Sequence, residues 1–206
     1  MVVSVVADAD TLFGGTTRGL LIHLDYQGLI RLHWSPLILD EMSRALVDTG
    51  RKADRAAAIR HEALMRAALP QAEVPTAEVQ SQFEAVAWAM RSPKDTHVAA
   101  CAHVLHARHY YRDTPVVSLV TRNTKDFGVK RLATIGIKVQ RPDAFLLGLF
   151  GLDEDSFSAA FETLRGTLRS APTPEQLLER LAADGQTETA AAMLASWQHG
   201  SGQGGR

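Results

Sequence analysis

The sequence predicts an α/β domain with a mainly parallel central sheet, followed by a small C-terminal helical extension. Strand-like and helix-like patterns alternate up to the segment 135–139, and only helical patterns follow Phe150. The apolar run 2–7 and the run 116–121, which is rich in β-branched residues, are typical of strands buried on both faces of a parallel sheet. A chain of 206 residues, 46% of them hydrophobic, suffices for one substantial core and a smaller appendage.

The first quarter of the chain carries a local signal for each predicted element. Residues 18–27 place leucines at helical spacing, and residues 29–33 fit a second short strand. Ser35 followed by Pro36 is an N-cap and first-turn pair, which opens a helix that stops near Gly50. These signals predict a helix, a strand and a second helix after the first strand.

The signals continue in the same way as far as the last predicted strand. Alanine-rich residues 54–69 predict a helix, and residues 80–90 fit another. Asp95 follows a Ser-Pro-Lys break and can cap a helix that runs to about residue 108. The run 135–139 completes the predicted sheet.

The predicted domain division has three parts. Residues 1–148 form the α/β domain, residues 149–199 form the helical extension, and the glycine-rich residues 200–206 form a flexible tail. Within the extension, leucines recur at helical spacing, as in Leu177 and Leu181. We therefore expect its helices to pack as a compact bundle.

Charge and cysteine content limit the classes of partner and compartment. The formal net charge is -1, so the whole-molecule field gives no strong attraction to nucleic acid or to an anionic membrane, and any basic surface must be local. The single cysteine, Cys101, excludes an internal disulfide framework and suggests a small buried hydrophobe in a reducing compartment. No secretion signal or membrane-spanning run is recognisable, so we expect a cytoplasmic protein.

Acidic or amide side chains lie in four separate stretches from which a metal site could be assembled. Asp8 follows the first predicted strand, so it lies at the carboxyl edge of the sheet, where ligands bind in open α/β folds. Carboxylates that converge there would repel and raise one another's pKa, and a hard divalent cation is the simplest way to neutralise them. The stretches contain Asp8 with Asp10, then Glu41, then Asp95, then Asn123 with Asp126.

These four stretches also carry a family resemblance. They read VVADADTL around Asp8, SPLILDE ending at Glu41, KDTHVAA with Asp95, and VTRNTKDF with Asn123 and Asp126. Their order and spacing resemble the PIN-domain family over about the first 145 residues. The greatest similarity is to VapC-type toxins of type II toxin-antitoxin systems that carry a C-terminal helical extension.

The resemblance implies a PIN-like three-layer α/β fold and a metal-dependent endoribonuclease that hydrolyses RNA phosphodiester bonds. Carboxylate-bound Mg²⁺ or Mn²⁺ supplies an activated water and stabilises charge on the scissile phosphate, so no nucleophilic side chain is required. The implied partner is a VapB-like antitoxin, and apolar helical surface also allows a homodimer. The RNA that is cleaved, the number of metal ions and the role of the extension stay open.

The expected site residues follow from this chemistry. Asp8 and Asp95 are the principal metal ligands, and Glu41 is a ligand or the base that orients the water. Asn123 and Asp126 complete the metal site, with Asp126 also a catalytic candidate. The candidates for RNA binding beside the site are Thr121, Arg122 and Lys125.

Two positions depart from the family pattern. Asp10 stands where the family usually has asparagine, which adds charge near the proposed ion. Asn123 stands where many members have aspartate, and an asparagine can coordinate a metal only through its neutral carbonyl oxygen. Asp126, three residues later, is the candidate to supply the missing charge. Whether Asn123 or Asp126 completes the site is not decided by the sequence.

Two alternative functions come from other classes. A catalytically inactive PIN-fold binding protein would keep the fold and lose catalysis through the change at Asn123, and its site should bind Mn²⁺ weakly or not at all. An aspartate-nucleophile phosphatase also begins with two aspartates one residue apart after a strand, as Asp8 and Asp10 are, but its later motifs are missing here.

Some other residue patterns have simpler structural interpretations. The spacing of His103, His106 and His109 drifts around a helix, so we expect a solvated face rather than a zinc site. The basic residues of the segment 51–66 alternate with Asp54 and Glu62, which favours an ion-paired helix over an RNA-binding one. The tryptophans are expected to be core or interface anchors rather than base-stacking platforms: Trp34, Trp88 and Trp197.

Overall fold

The computed structural model describes residues 2–107 and 116–201 and contains one four-stranded, all-parallel sheet. The strand order is β2-β1-β3-β4. The α/β class with a parallel sheet is therefore confirmed. The strands are β1 (Val3–Ala7), β2 (Ile30–His33), β3 (Val117–Val120) and β4 (Ile137–Gln140).

Helices connect and follow these strands, and a single turn of 3₁₀ helix spans Thr124–Asp126. Each predicted strand is present within about two residues of its expected bounds. The helices are α1 (Ala9–Phe13), α2 (Gly15–Tyr26), α3 (Pro36–Asp48), α4 (Arg55–Ala68), α5 (Thr76–Gln80), α6 (Phe83–Ala87), α7 (Thr96–Ala107), α8 (Val129–Ala133), α9 (Pro142–Leu152), α10 (Glu154–Thr167), α11 (Pro174–Ala183) and α12 (Thr187–Ser201).

The predicted helix starts have the expected capping bonds. The Ser35 hydroxyl accepts a hydrogen bond from the backbone N–H of Ile38, and the Asp54 carboxylate accepts one from Ala57 at 2.7 Å. The helix predicted over 80–90 is present only in part, because α5 ends at Gln80 and α6 spans only Phe83–Ala87. The helical periodicity of this segment does not reveal the break between the two short helices.

The chain divides into two compact units, one formed by Met1–Phe13 and Ile30–Arg141 and the other by Gly14–Leu29 and Pro142–Arg206. The division into domains at residues 148 and 199 stays a prediction about folding units. Sequence analysis recognised neither α9 nor the membership of α2 in the second unit. Helix α12 extends to Ser201, and residues 202–206 lie outside the described part of the chain.

In the first unit, α7 packs against the sheet. Its residues Val98, Ala99 and Cys101 are fully buried. Burial raises the pKa of the Cys101 thiol well above its usual value, so this cysteine is a core residue, as expected. Trp34 is also fully buried, as a core anchor should be.

In the second unit, two aspartates cap helices that begin far away in the sequence. The Asp184 carboxylate accepts hydrogen bonds from the N–H groups of Thr16 and Thr17, in the first turn of α2, at 2.8 and 2.9 Å. The Asp143 carboxylate accepts from Thr189 and from a neighbouring backbone N–H at the start of α12. These bonds fix the N-terminal helix α2 and the C-terminal helix α12 within one helical unit.

Among the described residues, no helix has both the length and the apolar character needed to cross a membrane.

Candidate metal centre

The strand order places the ends of β1 and β3 side by side. The chain runs from β1 to β2 on one side of it and later returns to β3 on the other side. This reversal is a topological switch point, and ligands of open α/β sheets bind at the carboxyl ends of the strands there. Asp8 directly follows β1 and Thr121 directly follows β3, so both lie at this position. The Asp8 N–H donates to the Val120 carbonyl oxygen at 2.9 Å.

Asp8 is held rigidly and is almost completely buried. Only 5% of the residue is exposed. Its Oδ1 accepts a hydrogen bond from the Ala9 N–H at 2.6 Å, and its Oδ2 accepts one from the Thr121 hydroxyl at 2.8 Å. Burial, then the charges of Asp10 and Asp95, nevertheless raise the pKa of Asp8 to about 7. The surroundings of Asp8 therefore disfavour the negatively charged form of its carboxyl group.

Asp10 has a different role from Asp8, because its oxygens face backbone donors. They accept hydrogen bonds from the N–H groups of Arg122, at 3.0 and 3.1 Å, and of Asn123, at 3.2 Å. The extra carboxylate at this position therefore fixes the loop that follows β3. This loop carries the next group of candidate residues.

Asn123 and Asp126 contact one another at the end of that loop. The Asn123 side-chain amide donates a hydrogen bond to Oδ2 of Asp126. The asparagine thus orients the neighbouring carboxylate.

A backbone connection, which we call the clamp, joins residues 88–92 to residues 126–128. The N–H groups of Arg91 and Ser92 donate to the Asp126 carbonyl oxygen at 2.9 and 3.2 Å, and the Gly128 N–H donates to Ala89 at 2.8 Å. Met90 and Phe127 form an antiparallel bridge between these bonds. The clamp fixes the segment that leads to Asp95 against the loop that carries Asp126.

The clamp brings Asp95 near other carboxylates, at the start of α7. Burial raises the pKa of Asp95 to about 6, and the charges of Asp126 and Glu41 add to this effect. Asp95 in turn contributes to the raised pKa of Asp8. Four acidic residues that are distant in sequence therefore influence one another electrostatically: Asp8, Glu41, Asp95 and Asp126.

His97 belongs to this region, although sequence analysis did not select it. Its Nε2 lies 3.3 Å from Oε2 of Glu41, a charge contact that is too poorly aligned for a good hydrogen bond, and its Nδ1 lies 3.1 Å from the Lys94 carbonyl oxygen. The contact with His97 holds the pKa of Glu41 below its usual range, although burial opposes this shift. Burial would lower the pKa of His97, but the contact with Glu41 and its charge outweigh burial and raise it. The sequence signal that could have identified His97 is its position two residues after Asp95.

The donor set suits a hard divalent cation. Within residues 2–107 and 116–201, no group of three or more His, Cys, Asp or Glu side chains is arranged closely enough to hold a metal ion. However, Asp8 and Asp95 both have carboxyl groups whose pKa is raised by burial and by neighbouring carboxylates. A cation that accepted their oxygens would remove this repulsion, and carboxylate oxygens are the ligands that Mg²⁺ and Mn²⁺ prefer.

The remaining candidates lie as follows. Arg122 and Lys125 are exposed beside the site, whereas the Thr121 side chain is buried and bonded to Asp8. His103 contacts Gln82 at 2.9 Å and, like His106, is half-buried, so the expected solvated face is only partly solvated, while His109 lies outside the described residues. The prediction of an ion-paired basic helix is confirmed by the contact of Arg66 with Glu62 at 3.1 Å.

The tryptophans, which were expected to be core or interface anchors, differ in their exposure. Trp88 is 50% exposed, so it is not a core residue. Trp197 packs against Phe161 with 5.7 Å between the ring centres. The helical periodicity around Trp88 gave no indication that the indole lies on the surface, because α6 is only five residues long.

A family comparison adds to the geometry. Residues 142–195 match the family model of the VapC50 C-terminal domain. This match, which covers about a quarter of the chain, supports a relationship to the VapC-type PIN toxin family. The parallel sheet and the helices from α9 onward agree with a PIN-like three-layer fold that carries a C-terminal helical extension. No curated protein and no solved structure matches the chain significantly.

Proposed function

We propose that this VapC-type protein is a metal-dependent endoribonuclease, the toxin of a toxin-antitoxin pair, which hydrolyses RNA phosphodiester bonds. The observation that carries the proposal is the group of mutually repelling carboxylates at the switch point of the sheet. Asp8 is 5% exposed, and the pKa of its carboxyl group is raised to about 7 by burial, Asp10 and Asp95. A buried carboxylate that lies near other carboxylates does not stabilise the fold. A metal site, in contrast, requires such a group.

Asp8, Asp95 and Asp126 are the residues proposed to hold Mg²⁺ or Mn²⁺. When bound, such an ion supplies an activated water and charge stabilisation at the scissile phosphate. Thr121 orients the Asp8 carboxylate with its hydroxyl, and Asn123 orients the Asp126 carboxylate with its amide. In this arrangement Asp126, rather than Asn123, supplies the charge that the family pattern leads one to expect after β3.

Glu41 is proposed as a further ligand or as the base that orients the attacking water. Its contact with His97 lowers the pKa of the carboxyl group and so favours the ionised form that either role requires. His97 acts through Glu41 and is therefore a positioning residue.

RNA and an antitoxin are the proposed partners. Arg122 and Lys125 are exposed on the loop after β3 and would contact phosphates on either side of the scissile bond. Neutralisation of the toxin by a VapB-like antitoxin, an intracellular location and the division into a nuclease domain, 1–148, and a helical extension, 149–199, are parts of the same proposal.

A cleavage assay on total RNA tests the proposal directly. The purified protein is incubated with RNA and Mn²⁺ or Mg²⁺, beside Asp8→Asn, Asp95→Asn and the control Asp48→Asn, which changes an exposed aspartate near the end of α3. Both site variants should lose at least roughly 100-fold in cleavage rate, since even outer-shell changes at metal sites cost about 10–100-fold. The control should cleave like the wild type.

Two results would contradict the proposal. One is cleavage at the same rate by all four proteins, which would point to a contaminating nuclease. The other is an intact wild-type protein that neither cleaves RNA nor binds Mn²⁺, which would favour the catalytically inactive binding protein.

A further inference from the structure

An exposed aromatic ring lies on the segment that the clamp fixes against the metal centre. Trp88 follows α6 and is 50% exposed, although the neighbouring Ala89 is fully buried. Solvent-exposed tryptophan is unusual because the ring loses much hydrophobic stabilisation there. The exposed part of the ring is available to a ligand.

The indole is fixed in place rather than loosely exposed. Its Nε1–H donates to the Ala85 carbonyl oxygen at 2.9 Å, which satisfies the polar edge of the ring and orients it. Its own carbonyl oxygen accepts a hydrogen bond from Nη1 of Arg131, and Arg131 also reaches the Met90 carbonyl oxygen at 3.4 Å. Both the ring and the backbone of Trp88 are thus held in position before any ligand arrives.

Trp88 is close to the proposed site of cleavage. The N–H of Arg91, three residues later, donates to the carbonyl oxygen of Asp126. Three residues span at most about 11 Å, so the indole lies within reach of the nucleotides that flank a phosphate bound at Asp126.

The surroundings of Trp88 are basic. Exposed cationic side chains lie on the clamp itself and on the two segments that extend from it, while Glu84 is the exposed acidic residue on α6. Val129, beside Gly128 of the clamp, adds 40% exposed apolar surface. The cationic residues are Arg91, Arg122, Lys125, Lys130 and Arg131.

We propose that Trp88 is a base-stacking platform for an unpaired nucleotide next to the scissile phosphate, and that the basic residues around the clamp hold the RNA backbone. An aromatic ring beside exposed cations is the arrangement by which proteins bind single-stranded nucleic acid. A base within a duplex cannot place its face on the ring, so the preferred substrate is single-stranded RNA. This inference rests on the proposed nuclease function and adds the residue that selects unpaired RNA.

Binding of RNA by an inactive background tests the inference without cleavage. In the Asp8→Asn protein, a labelled single strand of about 12 nucleotides is titrated and its anisotropy is followed. Trp88→Ala should weaken binding roughly 5- to 100-fold, and Trp88→Phe should restore most of the affinity because every base can stack on any aromatic ring. Tyr26→Ala, which removes an equally exposed ring from α2 in the second unit, is the control and should bind like the background.

Tryptophan fluorescence gives a second readout that a structural role would not change. RNA should quench the emission of the background protein, and the quenching should largely disappear in Trp88→Phe although that variant still binds. Trp34 is fully buried and should not respond. When a duplex of equal sequence is used instead, the binding affinity and the quenching should not depend on the residue at position 88.

The possible failures are distinguishable. If Trp88→Ala binds single strands as tightly as the background, the stacking platform is refuted, whether or not the wild type cleaves RNA. If that variant instead changes the protein from dimer to monomer with unchanged RNA affinity, the ring is a protein interface and the inference is also refuted. If the wild type does not cleave RNA but Trp88→Ala still loses affinity, the nuclease proposal fails while the RNA-binding surface stands.

Discussion

The aspartates of the two units differ in what surrounds their carboxylates. In the helical unit, Asp143 and Asp184 accept hydrogen bonds from backbone N–H groups at the starts of α12 and α2. In the first unit, which contains the sheet, Asp8 and Asp95 lie near other carboxylates. Burial together with those neighbours raises the pKa of each. The first pair stabilises the fold, whereas the second pair costs stability, a cost that the proposed cation would offset. The surroundings of an aspartate, rather than its residue type, therefore indicate whether it has a structural or a functional role.

The largest expected contrast comes from removing one carboxylate of each kind. Asp8→Asn should abolish RNA cleavage, by at least roughly 100-fold, and should leave the melting temperature unchanged or higher because a buried charge is removed. Asp143→Asn should behave in the opposite way and destabilise the helical unit by about 1–3 kcal/mol, since the backbone donors at the start of α12 lose a carboxylate acceptor. Thermal unfolding and cleavage assays on both proteins check this. A destabilised Asp8→Asn with full activity would reverse the comparison.

His97 gives the next largest effect. His97→Asn should reduce cleavage by about 10–100-fold, because Glu41 loses the contact that positions it and lowers the pKa of its carboxyl group. His103→Asn is the matched control on the same helix and should retain activity, since His103 contacts Gln82 rather than a carboxylate. Equal activity of the two variants would remove His97 from the site. The measurement is the initial rate of cleavage at saturating Mn²⁺.

The clamp can be tested through Gly128. A Cβ at this position would lie 2.3 Å from the Ala89 carbonyl oxygen and 2.7 Å from Nε of Arg131, so the two segments must move apart. Gly128→Ala should therefore destabilise the protein by about 1–3 kcal/mol and reduce cleavage, as in an overpacked core. Gly148→Ala, which meets nothing within 4 Å, is the control. Denaturant unfolding that shows the same stability for both variants would contradict the clamp.

The smallest effect concerns pH and a histidine of the sheet unit. Burial lowers the pKa of His33 to about 4, below the ordinary value of 6.5. As the pH falls, the imidazole of His33 is protonated in the unfolded chain before it is protonated in the folded one. The contribution of neutral His33 to the free energy of unfolding is therefore complete above pH 6.5 and is lost as the pH falls from 6.5 towards 4. Between pH 7 and pH 5 the loss should be on the order of 1–2 kcal/mol.

His33→Asn checks that assignment, because asparagine keeps a donor for the Ala72 carbonyl oxygen, which lies 3.1 Å from His33 Nδ1. The variant should lose less stability than the wild type over the same pH range in denaturant unfolding. The same pH slope in both proteins would assign the acid sensitivity to other groups. The contrast with His97 matters here, since a carboxylate contact raises the pKa of that histidine whereas burial alone dominates at His33.

Sequence reasoning found the parts of the site that follow strands. Asp8 after β1 and Thr121 after β3 were predictable, because an apolar run identifies a buried strand and the carboxyl ends of parallel strands share one edge. The interaction of Asn123 with Asp126 lies within four residues, so only its geometry was open.

The parts that sequence reasoning missed depend on contacts between distant segments. The clamp joins residues 88–92 to 126–128 through backbone groups, which leave no side-chain pattern to recognise. The contact of His97 with Glu41 likewise joins segments that are far apart in the sequence. The capping of α2 by Asp184 spans more than 160 residues of chain, so its place in the second unit was not visible either.

The most direct test of the central claim is calorimetric titration of the wild-type protein and the Asp8→Asn variant with Mn²⁺. The carboxylate cluster should give the wild type saturable binding at a defined stoichiometry, and the variant should lose it. Asp143→Asn should bind like the wild type, because its carboxylate serves backbone donors. Saturable binding that is equally strong in Asp8→Asn, or no binding by the wild type, would contradict the account.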